Sequence, residues 1–134
     1  PPWGKLLAID LASGEMKWQS PLGSVHQMAP VPLPFDINWG TPNLGGALMT
    51  AGKLVFIGAT MDRRFRAFSA DSGKVLWQHD LPADAVASPM TYRRGGRQYV
   101  VIAAGGHHMY QREMGDSLIA FALAQPESEK SSAD

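Results

Sequence analysis

AIDLASGEMKW, from Ala8 to Trp18, and AFSADSGKVLW, from Ala67 to Trp77, align without a gap at a constant offset of 59 residues. Ala8 matches Ala67, Ser13 matches Ser72, Gly14 matches Gly73 and Trp18 matches Trp77. Each copy reads as an extended run, a turn, and a second extended run closing on Trp. Gly14 and Gly73 fall where such a turn needs positive φ, and the Asp and Ser residues just before them can bond the turn backbone. The pattern is a β-hairpin, written twice. A third, partial copy, Ile119-Ala120-Phe121, resembles Arg66-Ala67-Phe68 and runs out before a turn or Trp appears.

Further strands are expected between the copies, at Ala47 to Thr50 and Leu54 to Gly58, joined by a tight Ala51-Gly52-Lys53 connection. After the second copy the same order returns, with Ala87 to Tyr92, a turn at Arg94-Gly95-Gly96, and Gln98 to Ala104. The chain thus spells the end of one unit (two strands), one whole unit (four) and the start of another (three). Four-stranded antiparallel units at this spacing are propeller blades. The fold class expected is all-β, a partial β-propeller of about two and a quarter blades, with hardly any helix. Val100-Val101-Ile102-Ala103-Ala104 is apolar without alternation, as a strand covered on both faces should be. Trp18 and Trp77 are expected to pack between blades. Residues 1–123 form the blades in this reading, and 124–134, polar except for Ala124 and Ala133, a disordered tail.

Composition narrows the function. Twelve basic residues balance twelve acidic ones, so no net field would gather nucleic acid or anionic lipid. Cysteine is absent, which removes thiol nucleophiles and thiolate metal sites. No apolar run approaches the roughly 20 residues of a membrane span. The opening Pro1-Pro2-Trp3-Gly4 has neither an initiator Met nor the regions of an export signal, so a product cut from a longer protein is expected.

Up-and-down strands give every loop a face. The Gly14, Gly52, Gly73 and Gly95-Gly96 turns belong to one face. The opposite face takes the segment Ser20 to Gly45, the loop Ala59 to Arg64, the link Pro82 to Val86 and the loop Gly105 to Gly115. Ser20 to Gly45 holds five prolines, which suit a rigid cover more than a mobile linker. Polar candidates cluster on that same face, where long loops on a rigid scaffold usually carry function. They are Asp62 with Arg63 and Arg64, His107 with His108, and Asn38-Trp39. Each has a plainer alternative. Asp62 can pair with Arg63 or Arg64 on the surface, His107 can be a surface histidine in a Gly-rich loop, and Trp39 can pack rather than stack on a flat ligand. His107 and His108 lack further ligands at a zinc spacing. Gly105-Gly106 is no phosphate loop, because no helix or Lys follows.

The consensus Ala-x-Asp-x-x-Ser/Thr-Gly-Lys/Glu-x-x-Trp resembles the tryptophan-docking motif of eight-bladed quinoprotein dehydrogenases, with Ser69 in place of Asp as the one departure in the second copy. Pro2-Trp3-Gly4, Leu44-Gly45-Gly46, Phe56-Ile57-Gly58, Leu81-Pro82-Ala83, Ser88-Pro89-Met90-Thr91-Tyr92 and Ala104-Gly105-Gly106-His107 are similar to the final blades of the membrane-bound glucose and quinate/shikimate branch. Pro30-Val31-Pro32-Leu33-Pro34-Phe35 and Thr50-Ala51-Gly52 belong to the same resemblance, which runs from Pro2 to about Leu123.

The resemblance implies a C-terminal piece of an enzyme that oxidises a sugar or polyol with pyrroloquinoline quinone (PQQ) and Ca²⁺ or Mg²⁺. The parent would pass electrons to ubiquinone at the periplasmic face of the bacterial inner membrane. It further implies that His107, Asp62 and Gly106 contact PQQ, and that His107 and Asp62 contact substrate. Lys74 stands where some members carry an acid. The metal ligands and catalytic base have no matching motif here, so no catalytic residue or metal ligand is assigned and the piece alone is expected to be inactive. The remaining blades of the parent are the expected partners, and open sheet edges would make the isolated piece self-associate. A non-catalytic propeller scaffold shares the Trp motif and is the alternative.

Overall fold

The computed structural model describes residues 1–31, 33–110 and 112–124. Among these residues nine strands make three antiparallel sheets. The first pairs β1 (Lys5–Ile9) with β2 (Met16–Pro21). The second runs β3 (Ala47–Met49), β4 (Leu54–Ile57), β5 (Arg64–Ser69), β6 (Val75–Asp80). The third runs β7 (Met90–Arg94), β8 (Arg97–Ala104), β9 (Ser117–Phe121). Two, four and three strands in sequential order is the division the repeat implies. Besides them the described residues hold two 3-10 turns, His26–Met28 and His108–Tyr110, and no α-helix. No helix among them is long and apolar enough to cross a membrane. From residue 125 the expected tail lies outside the described residues, as does Pro32 of the proline-rich stretch.

The two motif hairpins are copies down to their hydrogen bonds. In the first, Gly14 N–H donates to the Asp10 carbonyl (2.7 Å) and Asp10 N–H to Glu15 (2.8 Å). In the second, Gly73 donates to Ser69 (2.9 Å) and Ser69 to Lys74 (2.9 Å). Asp10 Oδ1 accepts from Ser13 N–H, and Ser69 Oγ accepts from Ser72 N–H at the matching place, so the Ser-for-Asp departure keeps the turn's side-chain acceptor. The strand register shifts at Ala8/Ile9 and at Ala67/Phe68, again in step.

Strand ends differ slightly from expectation. The seventh strand starts at Met90, not Ala87, because Pro89 has no N–H for the ladder. It then runs to Arg94, leaving a two-residue Gly95-Gly96 turn with both φ angles positive (56° and 76°), the requirement of a type I′ hairpin. In the Ala51-Gly52-Lys53 turn the positive φ falls on Lys53 (59°) instead of the glycine.

Packing occurs between sheets. Leu22, Ile57, Ala59 and Phe68 form one buried cluster between the first and second sheets. Phe65, Leu81, Ala85, Val100, Ile102 and Ala104 form another between the second and third. Each large side chain so buried contributes roughly 1.5–3 kcal/mol. Val100, Val101, Ile102 and Ala104 are all buried, as the unbroken apolar run requires of a strand covered on both faces.

The tryptophans join these layers. The Trp18 indole N–H donates to the Ala70 carbonyl (2.8 Å), and its ring lies so close to Gly73 that a Cβ there would sit 2.4 Å from a ring carbon. The Trp of one copy therefore docks on the Gly turn of the next. Trp77 in turn meets the Phe121 ring on the third sheet, with centroids 5.1 Å apart.

Candidate functional site

The loops assigned to one face are joined by backbone hydrogen bonds. Ala59 N–H donates to Ala85 (2.7 Å), Leu44 to Ala59 (2.9 Å), Leu81 to Arg63 (2.6 Å) and Gly106 to Asp84 (2.8 Å). Two glycines permit this approach. A Cβ on Gly58 would lie 2.6 Å from the Ala85 carbonyl oxygen, and one on Gly45 (φ +129°) would lie 2.6 Å from that of Val86. The segment Ser20 to Gly45 is pinned to the first sheet through Gly40 N–H to Gly23 and Trp3 N–H to Trp39. Asp62, Arg63, Arg64, Gly106 and His107 all belong to this assembly.

Asp62 is 1 % exposed, and protein donors occupy its carboxylate. Thr60 Oγ1 donates to one oxygen at 2.6 Å and Ser24 N–H to the other at 2.7 Å. Arg66, 4 % exposed, grips both oxygens with its guanidinium. The ionic partner is therefore Arg66 on β5, in the core, and not Arg63 or Arg64 on the surface. Phe65, Ala67 and Phe68 are buried along with it, so an Arg enclosed there needs a carboxylate. Burial alone pushes the Asp62 pKa up, but the Arg66 hydrogen bonds and charge, with Thr60 and Ser24, outweigh it and hold the group below the usual 3.8. Ser24 belongs to the first sheet's loop, so Asp62 also fastens one blade to the next.

Arg64 and Arg63 turn elsewhere. Arg64 bridges Asp36 (2.7 Å) and Asp80 (3.0 Å), while Arg63 reaches the Pro82 carbonyl (3.3 Å) and Glu113 (3.4 Å). The Arg63 Nε is buried with no acceptor among the described residues.

Asp84 and Arg112 were not singled out in the sequence. Asp84 is 0 % exposed, its backbone carbonyl accepts from Gly106, and Arg112 Nε stands 3.3 Å from its Oδ2. Neither carboxyl oxygen accepts a well-aligned hydrogen bond among the described residues. Burial raises its pKa, opposed by the charges of Arg112 and Arg63 and by the Arg63 amide, while Asp62 adds to the rise. Arg112 also donates to the Met61 carbonyl at 2.6 Å. One signal was available: Asp84 is the sole charge in the run from Leu81 to Met90.

His107 and His108 stack, with ring centroids 4.7 Å apart. Met109 N–H donates to His107 Nδ1 (3.3 Å), which places the proton of a neutral ring on Nε2. Gly106 has φ +72°, and a Cβ there would stand 3.0 Å from the Glu113 carbonyl oxygen. Trp39 meets Trp3 edge-on, with centroids 6.0 Å apart, as its packing alternative has it. Two hollows of about 240 and 350 Å³ lie along the Ser20 to Gly45 segment, the larger lined by Trp3, Val25, Met28, Leu33, Ile37 and Trp39. His107 lines neither hollow.

Sequential antiparallel sheets of two, four and three strands, docked Trp on Gly and closed over by one layer of loops, define a section of a quinoprotein-type β-propeller. The chain belongs to the PQQ glucose/ethanol/alcohol dehydrogenase β-propeller family, whose model matches residues 1–100. It is 47 % identical over 128 residues to a quinoprotein glucose dehydrogenase of Gluconobacter oxydans, covering 92 % of this chain and 16 % of that protein. It is 45 % identical over 126 residues to a glycerol dehydrogenase large subunit of Gluconobacter thailandicus, covering 92 % and 17 %. The quinohemoprotein alcohol dehydrogenase structure from Comamonas testosteroni superposes with a TM-score of 0.63 at 27 % identity, over 92 % of this chain and 17 % of that one. The chain thus spans about one sixth of the length of these relatives.

Proposed function

We propose that the chain is the C-terminal part of a PQQ-dependent dehydrogenase that oxidises a sugar or polyol, glucose or quinate/shikimate in the first instance, with residues 1–123 as its last blades. The observation that carries this reading is the hydrogen-bonded layer of loops holding Gly106 and His107 on one face of a propeller of that family. When bound, PQQ supplies the acceptor for the hydride of the alcohol carbon, assisted by Ca²⁺ or Mg²⁺ held by residues of other blades.

The donors present suit an anionic quinone. Arg63 has a buried Nε with no acceptor among the described residues, and His107 accepts the Met109 N–H at Nδ1. His107 then donates to a cofactor carboxylate or a substrate hydroxyl, and Gly106 lets the backbone come close without a Cβ in the way. Asp62, with its oxygens filled by Arg66, Thr60 and Ser24, serves by holding the floor beneath the loops; a direct contact would require it to release one donor. Electron transfer to ubiquinone at the periplasmic face belongs to the same reading of the longer protein.

The segment by itself is inactive in this reading, and its uncovered apolar side chains, among them Leu7, Ile9, Leu76, Met90 and Leu118, make it self-associate. A clean monomer by light scattering would contradict that last point. The decisive experiment is dye-linked oxidation by the longer protein, loaded with PQQ and Ca²⁺, of glucose, glycerol and quinate. His107→Ala is expected to weaken PQQ or substrate binding at least tenfold without lowering the melting temperature. A longer protein that takes up no PQQ overturns the reading, and unchanged kinetics in His107→Ala overturns the role of that residue.

A further inference from the structure

Among the described residues, the buried acid Asp62 of the site layer has its acceptor positions filled and the buried acid Asp84 does not. Asp84 is also wholly enclosed, so no solute reaches it without displacing a loop. Its contacts point to what it holds. The backbone carbonyl takes the N–H of Gly106, and the carboxyl faces Arg112, seven residues after Gly105 on the same loop. Arg112 extends the connection to the Met61 carbonyl, next to Asp62. Three loops, 59–64, 81–88 and 105–115, thus meet at one carboxyl.

We propose that Asp84 is a positioning residue which, with Arg112, clamps the Gly105 to Gly115 loop onto its neighbours and so fixes where Gly106 and His107 stand. This rests on the reading of that loop as the cofactor-facing one. The clamp is closed when Asp84 is ionised and attracts Arg112. Arg112 and Arg63 face the carboxyl from the two flanking loops, Asp62 is the near like charge, and Glu113 competes for Arg63.

The test is amide hydrogen exchange over residues 105–115 of the longer protein without cofactor, beside a PQQ titration followed by fluorescence. Asp84→Asn keeps the shape and removes the charge. It is expected to lower protection of that loop roughly tenfold, as loss of a charge-assisted contact should, and to weaken PQQ binding by a similar factor. Arg112→Lys acts in the same direction, because Lys cannot reach both Asp84 and Met61 through a planar fork. Asp71→Asn, whose exposed pair with Lys53 lies on the far face, leaves the loop as it is. If Asp84→Asn fails to fold, Arg112→Lys decides: its 105–115 protection should fall relative to the Lys53 turn of the same variant. A folded Asp84→Asn with wild-type protection and PQQ affinity overturns the clamp, as does wild-type protection of that loop in Arg112→Lys. If the wild type takes up no PQQ, the dehydrogenase reading falls, and the exchange data still judge the clamp.

Discussion

Replacing Asp62 by Asn separates a structural acid from a ligand-contacting one. The carboxylate accepts from Ser24 N–H, Thr60 Oγ1 and both arms of Arg66, in a place 1 % exposed. Asn keeps one acceptor oxygen and sets an NH₂ against donors that now have nowhere to point. Arg66, 4 % exposed, is left a buried cation without its counter-charge. Removing one partner of such a pair costs about 3–5 kcal/mol, a large share of the ~5–15 kcal/mol that keeps a protein folded. Thermal and urea unfolding of the longer protein, followed by Trp fluorescence, should show this as a midpoint lower by several degrees.

Two companion measurements sharpen the same prediction. Asp62→Leu with Arg66→Met removes both charges and should recover most of the lost stability, because the desolvation cost of the pair vanishes with it. In the wild type the Asp62 pKa is lowered by folding, so its contribution is present above about pH 3.8 and fades as pH falls through the lower folded value. Asp62→Asn lacks that acid limb. The reasoning is refuted if Asp62→Asn unfolds with the wild type while PQQ affinity drops tenfold or more, since Asp62 would then touch the cofactor directly.

Gly73→Ala should cost about 2–4 kcal/mol, since its Cβ would stand 2.4 Å from the Trp18 ring at φ +68° and displace the indole from Ala70. Gly14→Ala, with nothing within 4 Å, costs only about 1 kcal/mol of backbone strain unless a preceding blade docks its own Trp there; comparing melting temperatures of the two variants in the longer protein reads out that blade. Asp10 should titrate at about 2 by carboxyl-carbon NMR, held there by the Lys17 side chain and the Ala12 and Ser13 amides, and Lys17→Met should move it back toward 3.8.

The blades were legible because their information is local and repeated. A glycine at the turn, an acceptor side chain before it and a Trp after it fix a hairpin, and a second copy fixes the period. The sheet division follows from counting strands between copies. A local signal also explains where a strand end differs: Pro89 delays β7 to Met90. The face carrying Asp62, Gly106 and His107 was legible from strand alternation. Their partners were not, because each lies in another element. Arg66 looks like an ordinary strand residue until the next sheet covers it, and Asp84 meets Arg112 only after two loops fold over one another. Arg66 between Phe65 and Phe68, and Asp84 alone among Ala and Val, are the traces such burial leaves in a sequence.

The docking turn and the site layer are joined by one strand. β5 starts at Arg64, beside Asp62, and ends at Ser69, in the turn that receives Trp18. Five steps of roughly 3.3 Å each put about 17 Å between the two ends. Side chains that far apart, sharing no partner, lose stability additively. The motif that identifies the blade can therefore change without moving His107. A change at Arg66 cannot be so contained, because Asp62 answers at once on the site face, and through Ser24 the strain passes to the preceding blade. The strand is uniform in backbone and unequal in consequence: its turn end holds blades together, and its loop end couples that assembly to the surface where chemistry is proposed.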